Sequence, residues 1–100
     1  MDEETIKELY ELSLANAKIT DNIIEWTNCW PFDKYIKWFM TSSITSINHA
    51  FKEIIFAYYN LYLYTFDDNL RNKLKQLLDS DDVANHHIAF RLIYQQFKNT

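Results

Sequence analysis

A chain of 100 residues that contains no glycine at all and a single proline, Pro31, has few ways to fold. Average usage would place about seven glycines in this length. Tight hairpins, positive-φ helix ends and sharp strand bends favour glycine, because a residue without Cβ enters those conformations at little steric cost. A sandwich or barrel without any is hard to build, so the sequence predicts an all-α fold. The same zero removes chemistries that need backbone to approach a ligand closely: a P-loop, a dinucleotide fingerprint and a G-x-S-x-G nucleophile elbow are all excluded. The length suits one hydrophobic core, and a single helical domain over residues 1–100 is expected.

Ten Lys and Arg against 14 Asp and Glu leave a net charge of -4. That is the wrong sign for neutralising phosphates, so no direct nucleic-acid ligand is expected. Cys29 is the only cysteine, which rules out an intramolecular disulfide. The start, Met1-Asp2-Glu3-Glu4, is acidic and lacks the basic-then-apolar order of a signal peptide. Both features point to the cytoplasm of a bacterial host cell. The longest uncharged stretches, Trp38 to Phe51 and Ile54 to Phe66, fall short of the roughly 18–20 apolar residues that span a bilayer, so no membrane partner is expected. Ile, Asn, Lys, Tyr and Phe dominate the composition, and all have AT-rich codons, as in a low-GC Gram-positive bacterium or its phage.

Periodicity organises the chain into helices joined by short polar turns. The first follows Asp2 as N-cap, with Thr5 at the third position, and ends near Lys18. Its predicted buried face is Ile6, Leu9, Tyr10, Ser13, Leu14 and Ala17, with Glu4, Glu8 and Glu11 as an acidic stripe on the opposite side. A short helix capped by Thr20 or Asp21 carries Ile19, Ile23, Trp26 and Trp30 and stops at Pro31. Pro31 suits the first turn of the next helix, where Phe32, Tyr35, Ile36, Phe39 and Met40 repeat and Trp38 falls off the stripe. Thr41-Ser42-Ser43 has weak helix propensity, and a kink is expected there.

From Ile44 to Phe66 runs the strongest helical signal, with Ile44, Ile47, Phe51, Ile54, Ile55, Tyr58, Leu61, Tyr62 and Thr65 on one face. A second apolar line, Phe56, Tyr59, Leu63 and Phe66, lies about 100° further round. Asp67-Asp68 restarts the chain into a helix with the stripe Leu70, Leu74, Leu77 and Leu78, opposed by Arg71, Lys73 and Lys75. Asp79-Ser80-Asp81-Asp82 then separates a last helix, capped by Ser80 or a neighbouring Asp and fraying near Asn99. It turns Val83, His86, His87, Phe90, Ile93, Tyr94 and Phe97 inward and Ile88 and Leu92 outward. The expected architecture is an irregular bundle of four to five helices around the long central helix.

The pair Glu8-x-x-Glu11 resembles the metal-binding signature of all-α nucleotide pyrophosphohydrolases, in which such acids hold Mg²⁺ and a later E-x-x-D completes the site. Here the second pair would be Glu25-x-x-Asn28, and Asn28 replaces the needed acid. A solvated helix face is the simpler reading. His86 and His87 are adjacent, so on a helix they project about 100° apart and do not clasp one ion. Asp82 with His86 has suitable spacing, but His49 and Asp79 have no sequence reason to converge on them, and no metal is expected. Cys29, between Trp26 and Trp30, reads as inert packing. Neither Arg71 nor Arg91 is followed by a short polar spacer and His, as in one class of RNA-cleaving helical domain. No catalytic constellation survives, so a non-enzymatic protein without cofactor is expected.

Aromatic residues make up 17% of the chain, and that surplus supplies interface anchors. Trp38, flanked by Lys34 and Lys37, is predicted as an exposed indole joined by Phe56, Tyr59 and Leu63. The alternative is a central helix buried on both sides, with Trp38 covering the end of a neighbour. Glu4, Glu8, Glu11, Asp81 and Asp82 would steer the chain toward a basic partner. The resulting expectation is stoichiometric binding to a larger basic protein, a nuclease or nucleic-acid-handling complex. With the AT-rich composition this resembles a phage or mobile-element inhibitor of the anti-CRISPR type. Size and helical build are also similar to bacteriocin and toxin immunity proteins, an architectural likeness that no motif carries. A structural homodimer whose aromatic face pairs with itself is a third expectation.

Overall fold

Asp2 starts the first helix as its position predicts, its carboxylate accepting the Thr5 amide at 2.8 Å. That bond to Thr5 also holds the Asp2 carboxyl below its ordinary pKa. The computed structural model describes residues 1–19 and 30–99, with backbone alone at 18 and 19. Five α-helices occupy the described residues: α1 (Glu3–Ile19), α2 (Phe32–Thr41), α3 (Ile44–Leu61), α4 (Asp68–Asp79) and α5 (Val83–Lys98). The all-α bundle predicted from the absence of glycine is what forms. The short helix expected after Thr20 or Asp21, the Glu25-x-x-Asn28 pair and Cys29 lie outside the described residues.

A chain without glycine lacks the residue that most readily forms left-handed helix caps, and no described residue has positive φ. Two devices replace them. The first is an extended residue bonded by hydroxyls. At the α2–α3 junction Ser42 and Ser43 both take extended conformations, with ψ of 163° and 153°. Thr41 Oγ1 donates back to the Lys37 carbonyl at 2.8 Å, and Ser43 Oγ accepts the Ser46 amide at 3.2 Å. Ser42 N also donates to the Trp38 carbonyl at 3.0 Å, and the chain breaks where a kink was expected. Pro31, at φ -67° and ψ 159°, sits just outside α2 as its N-cap, not in the first turn.

The second device is a tightened turn. α3 stops at Leu61 instead of running to Phe66, and Leu63–Thr65 forms a single 3₁₀ turn closed by Thr65 Oγ1 donating to the Tyr62 carbonyl at 2.7 Å. This turn folds Phe66 back onto Tyr59, with ring centroids 6.1 Å apart, so that part of the second apolar line is covered from within the chain. Asp67 then caps α4 through the Leu70 amide, and Asp82 caps α5 through the Ala84 amide.

Side-chain register sets the helix directions. Phe51 meets Phe90 and Tyr58 meets Phe97, equal steps on both helices, so α3 and α5 run in the same sense. Glu8 meets Arg91 and Glu11 meets Tyr94, so α1 runs with them. α4 returns antiparallel to α3, with Tyr59 donating its hydroxyl to the Arg71 carbonyl at 3.3 Å. The core lies between α1, α3 and α5 and includes Leu9, Phe51, Ile54, Ile55, Phe90 and Ile93. α3 packs against α1, α4 and α5, and α1 and α5 each pack against three helices as well.

Four stripes differ from expectation. α1 buries Leu12, Ala15 and Asn16 along with Ile6, Leu9 and Ser13, while Leu14 is exposed and Tyr10 and Ala17 are half-buried. On this face Ser13 Oγ lies 3.0 Å from the Tyr35 hydroxyl, and Asn16 Nδ2 donates to the Ile54 carbonyl at 3.3 Å. Met40 and Ile44 are exposed because the break at Ser42–Ser43 carries both past the end of the core. Leu92, expected outside, packs against the core, whereas Ile88 stays exposed. Among the described residues no helix is long and apolar enough to cross a membrane.

Candidate protein-binding surface

The acids of α1 do not form the outward stripe expected of them. Glu8 accepts Arg91 at 2.6 Å, and its side chain is only 14% exposed. Glu11 accepts the Tyr94 hydroxyl at 2.7 Å and lies 3.9 Å from Lys98 Nζ. Burial, with the Glu11 carboxylate beside it, pushes the Tyr94 phenol above its usual pKa and keeps it a neutral donor. Because α1 and α5 run in parallel, Arg91 and Tyr94 recur at the three-residue spacing of Glu8 and Glu11, and Lys98 joins Tyr94 at Glu11, drawing these two acids into the interface. Glu4 alone of the three is exposed. The Glu8-x-x-Glu11 carboxylates are thus already occupied by cations and a phenol. Among the described residues no group of three His, Cys, Asp or Glu is placed to hold a metal ion.

Trp38 also differs from its expected role. It is half-buried, set edge-on to Phe39 at 5.0 Å and packed against the core. Lys34 and Lys37 are exposed, and Lys34 Nζ lies 4.8 Å over the Trp30 ring. Tyr59 is buried, at 7% exposure, and Leu63 packs against the core, because the 3₁₀ turn folds the chain back over that side of α3. Of the expected aromatic patch only Phe56 remains on the surface, at 40% exposure.

Phe56 lines an open groove of about 690 Å³ between α3 and the C-terminal end of α4. His49, Lys52, Glu53, Ala57 and Asn60 of α3 form one wall, and Leu78 and Asp79 of α4 form the other. His49 and Asp79, which no sequence pattern brings together, line the same groove. His49 Nε2 pairs with Glu53 Oε1 at 3.0 Å across one helical turn. Asp81 and Asp82, which follow in the chain, are exposed, Asp82 doubling as the α5 cap.

Ser80 ties this segment to α5. Its hydroxyl accepts the Asp82 amide at 3.1 Å and Asn85 Nδ2 at 2.9 Å, and its carbonyl lies 2.6 Å from Nε2 of the buried His86. A carbonyl only accepts, so His86 carries its proton on Nε2. The next residue, His87, stacks on Phe51 at 4.4 Å. Burial, then repulsion from Arg91 and His86, lowers its pKa from 6.5.

That shift predicts a pH dependence. The unfolded chain binds the His87 proton at a higher pH than the folded one, so the contribution is complete above about pH 6.5 and is lost on acidification toward the folded pKa. The melting temperature should fall between pH 7 and pH 5, and His87→Gln should flatten the slope in calorimetry. Equal slopes in both proteins would contradict this role for His87.

The groove was legible only in part. His49, Glu53, Phe56 and Asn60 follow helical spacing, and Phe56 is the one aromatic in an otherwise polar row. What no periodicity showed is that the end of α4 stands across from it. Comparison with protein-family models, with curated proteins and with solved structures found no match.

Proposed function

We propose that this chain is a stoichiometric protein inhibitor of a larger, basic bacterial enzyme, a nuclease or other nucleic-acid-handling complex of a defence system, and that a phage or mobile element supplies it. The observation that carries this reading is Phe56, a large aromatic held partly exposed in a groove edged by Glu53 and Asp79. Aromatic anchors in partly enclosed sites contribute most of the energy of protein interfaces, and acidic rims raise association rates with basic partners. The net charge of -4 supports a basic partner, and the AT-rich codon usage of the dominant residues supports a low-GC host, in whose cytoplasm the inhibitor acts.

The test is a titration. Purified CRISPR effector nucleases and restriction enzymes of low-GC Gram-positive bacteria are mixed with increasing amounts of this protein, and DNA cleavage is measured. Cleavage by the target should fall linearly and reach its minimum at molar equivalence. Unchanged cleavage throughout the panel, or inactivation at far below equivalence, would overturn the proposal.

A further inference from the structure

The groove between α3 and α4 has a polarity that specifies its occupant. α4 runs antiparallel to α3, with Arg71 opposite Tyr59, so Asp79 lies about two turns further back, beside Glu53 and His49. One end of the groove is therefore acidic, Phe56 and Ala57 with Leu78 make its middle apolar, and Asn60 closes the other end. From His49 to Asn60 the wall is about 16 Å long, the length of three helical turns.

The charge at the acidic end goes against local helix energetics. The C-terminal carbonyls of a helix carry partial negative charge and favour Lys or Arg nearby, yet the last turn of α4 has no basic residue and ends on Asp79. Among the described residues neither Asp79 nor Asp81 has an ion-pair partner. Asp82 caps α5 through the Ala84 amide, whereas among the described residues no hydrogen bond or ion pair accounts for Asp79 or Asp81. Among the described residues Lys52 is the one Lys or Arg lining the groove; Glu53, which His49 contacts at 3.0 Å, the unpaired Asp79 and the helix terminus together outweigh it.

We infer that the groove receives a cationic amphipathic segment of the partner protein, one large apolar side chain resting on Phe56 and Ala57 and a Lys or Arg one turn away meeting Asp79 and Glu53. This rests on the protein-binding reading above and names the part of the partner that is bound. An unpaired carboxylate at a helix C-terminus is relieved by an incoming cation, and its interaction with a guanidinium strengthens as the apolar contact excludes water.

The probe is a displayed library of peptides about twelve residues long, enough for three helical turns. It is selected against the full chain, and enriched peptides are then synthesised. They should share a large apolar residue with Lys or Arg three or four positions away, bind more weakly as salt is raised, and shift the amide resonances of residues 49–60 and 78–79. Asp79→Lys should weaken them at least tenfold. The same substitution replaces an acid by a base at a helix C-terminus, so the variant should melt no lower than wild type, which separates lost binding from lost folding.

An enriched set without basic residues, shifts confined to another face, or undiminished binding to Asp79→Lys would overturn the assignment. If the nuclease titration fails while the peptides behave as stated, the inhibitor reading falls and the groove assignment stands. A nuclease that Asp79→Lys inhibits as well as wild type does leaves the inhibitor and removes the groove.

Discussion

Phe51→Ala should lower stability by about 3–5 kcal/mol, the range for truncating a fully buried phenylalanine. Phe51 is completely enclosed, lies 5.3 Å from the Phe90 ring and stacks on His87 at 4.4 Å, so α3 and α5 both lose their central contact. A domain of this size has roughly 5–15 kcal/mol of stability in total, and a loss of this order takes much of it. Thermal and urea denaturation followed by circular dichroism should show a melting temperature lowered by about 15 °C or more. A drop of only a few degrees would mean that the α3–α5 contact is not the centre of the core.

Phe56→Ser has the opposite profile. Its ring is partly exposed and touches Tyr59 edge-on at 6.3 Å, so truncation should cost about 1 kcal/mol of stability or less. If it is the anchor of the interface, affinity for the target should fall by about 2–4 kcal/mol, or thirtyfold to a thousandfold, as read from the inhibition titration or from surface plasmon resonance. Trp38→Ala is the contrast. Trp38 packs against the core, so its truncation should reduce stability and leave affinity within about threefold once the folded fraction is matched. Reversed results for the two variants would return the anchor role to Trp38 and move the binding surface to α2.

These opposite expectations for two aromatics show how far reading along a single helix reaches. Trp38 lies off the stripe of Tyr35 and Phe39, and from that alone it reads as exposed. The packed fold gives it a neighbour in the Phe39 ring and the core beside it. Tyr59 and Phe56 belong to the same second line on α3, yet one is buried and the other is not. The reversal at Leu63–Thr65, which places Phe66 on Tyr59, separates them. Glu8 and Glu11 read as solvated because nothing in α1 answers them; their partners Arg91, Tyr94 and Lys98 come from the far end of the chain.

Local chemistry was enough for the fold class and for most element boundaries. The absence of glycine disfavours tight hairpins and left-handed caps, 3.6-residue periodicity marks the helices, and Asp2, Asp67 and Asp82 start three of them because a carboxylate satisfies amides only a few residues away. These are interactions within one turn, and a linear sequence contains both partners. The surface is different. Which acids face solvent, which ring stays exposed and whether His49 and Asp79 share a groove depend on the angle and register at which helices distant in sequence meet. Those are set by the summed packing of the whole core, so the groove came into view only when α4 had been placed against α3.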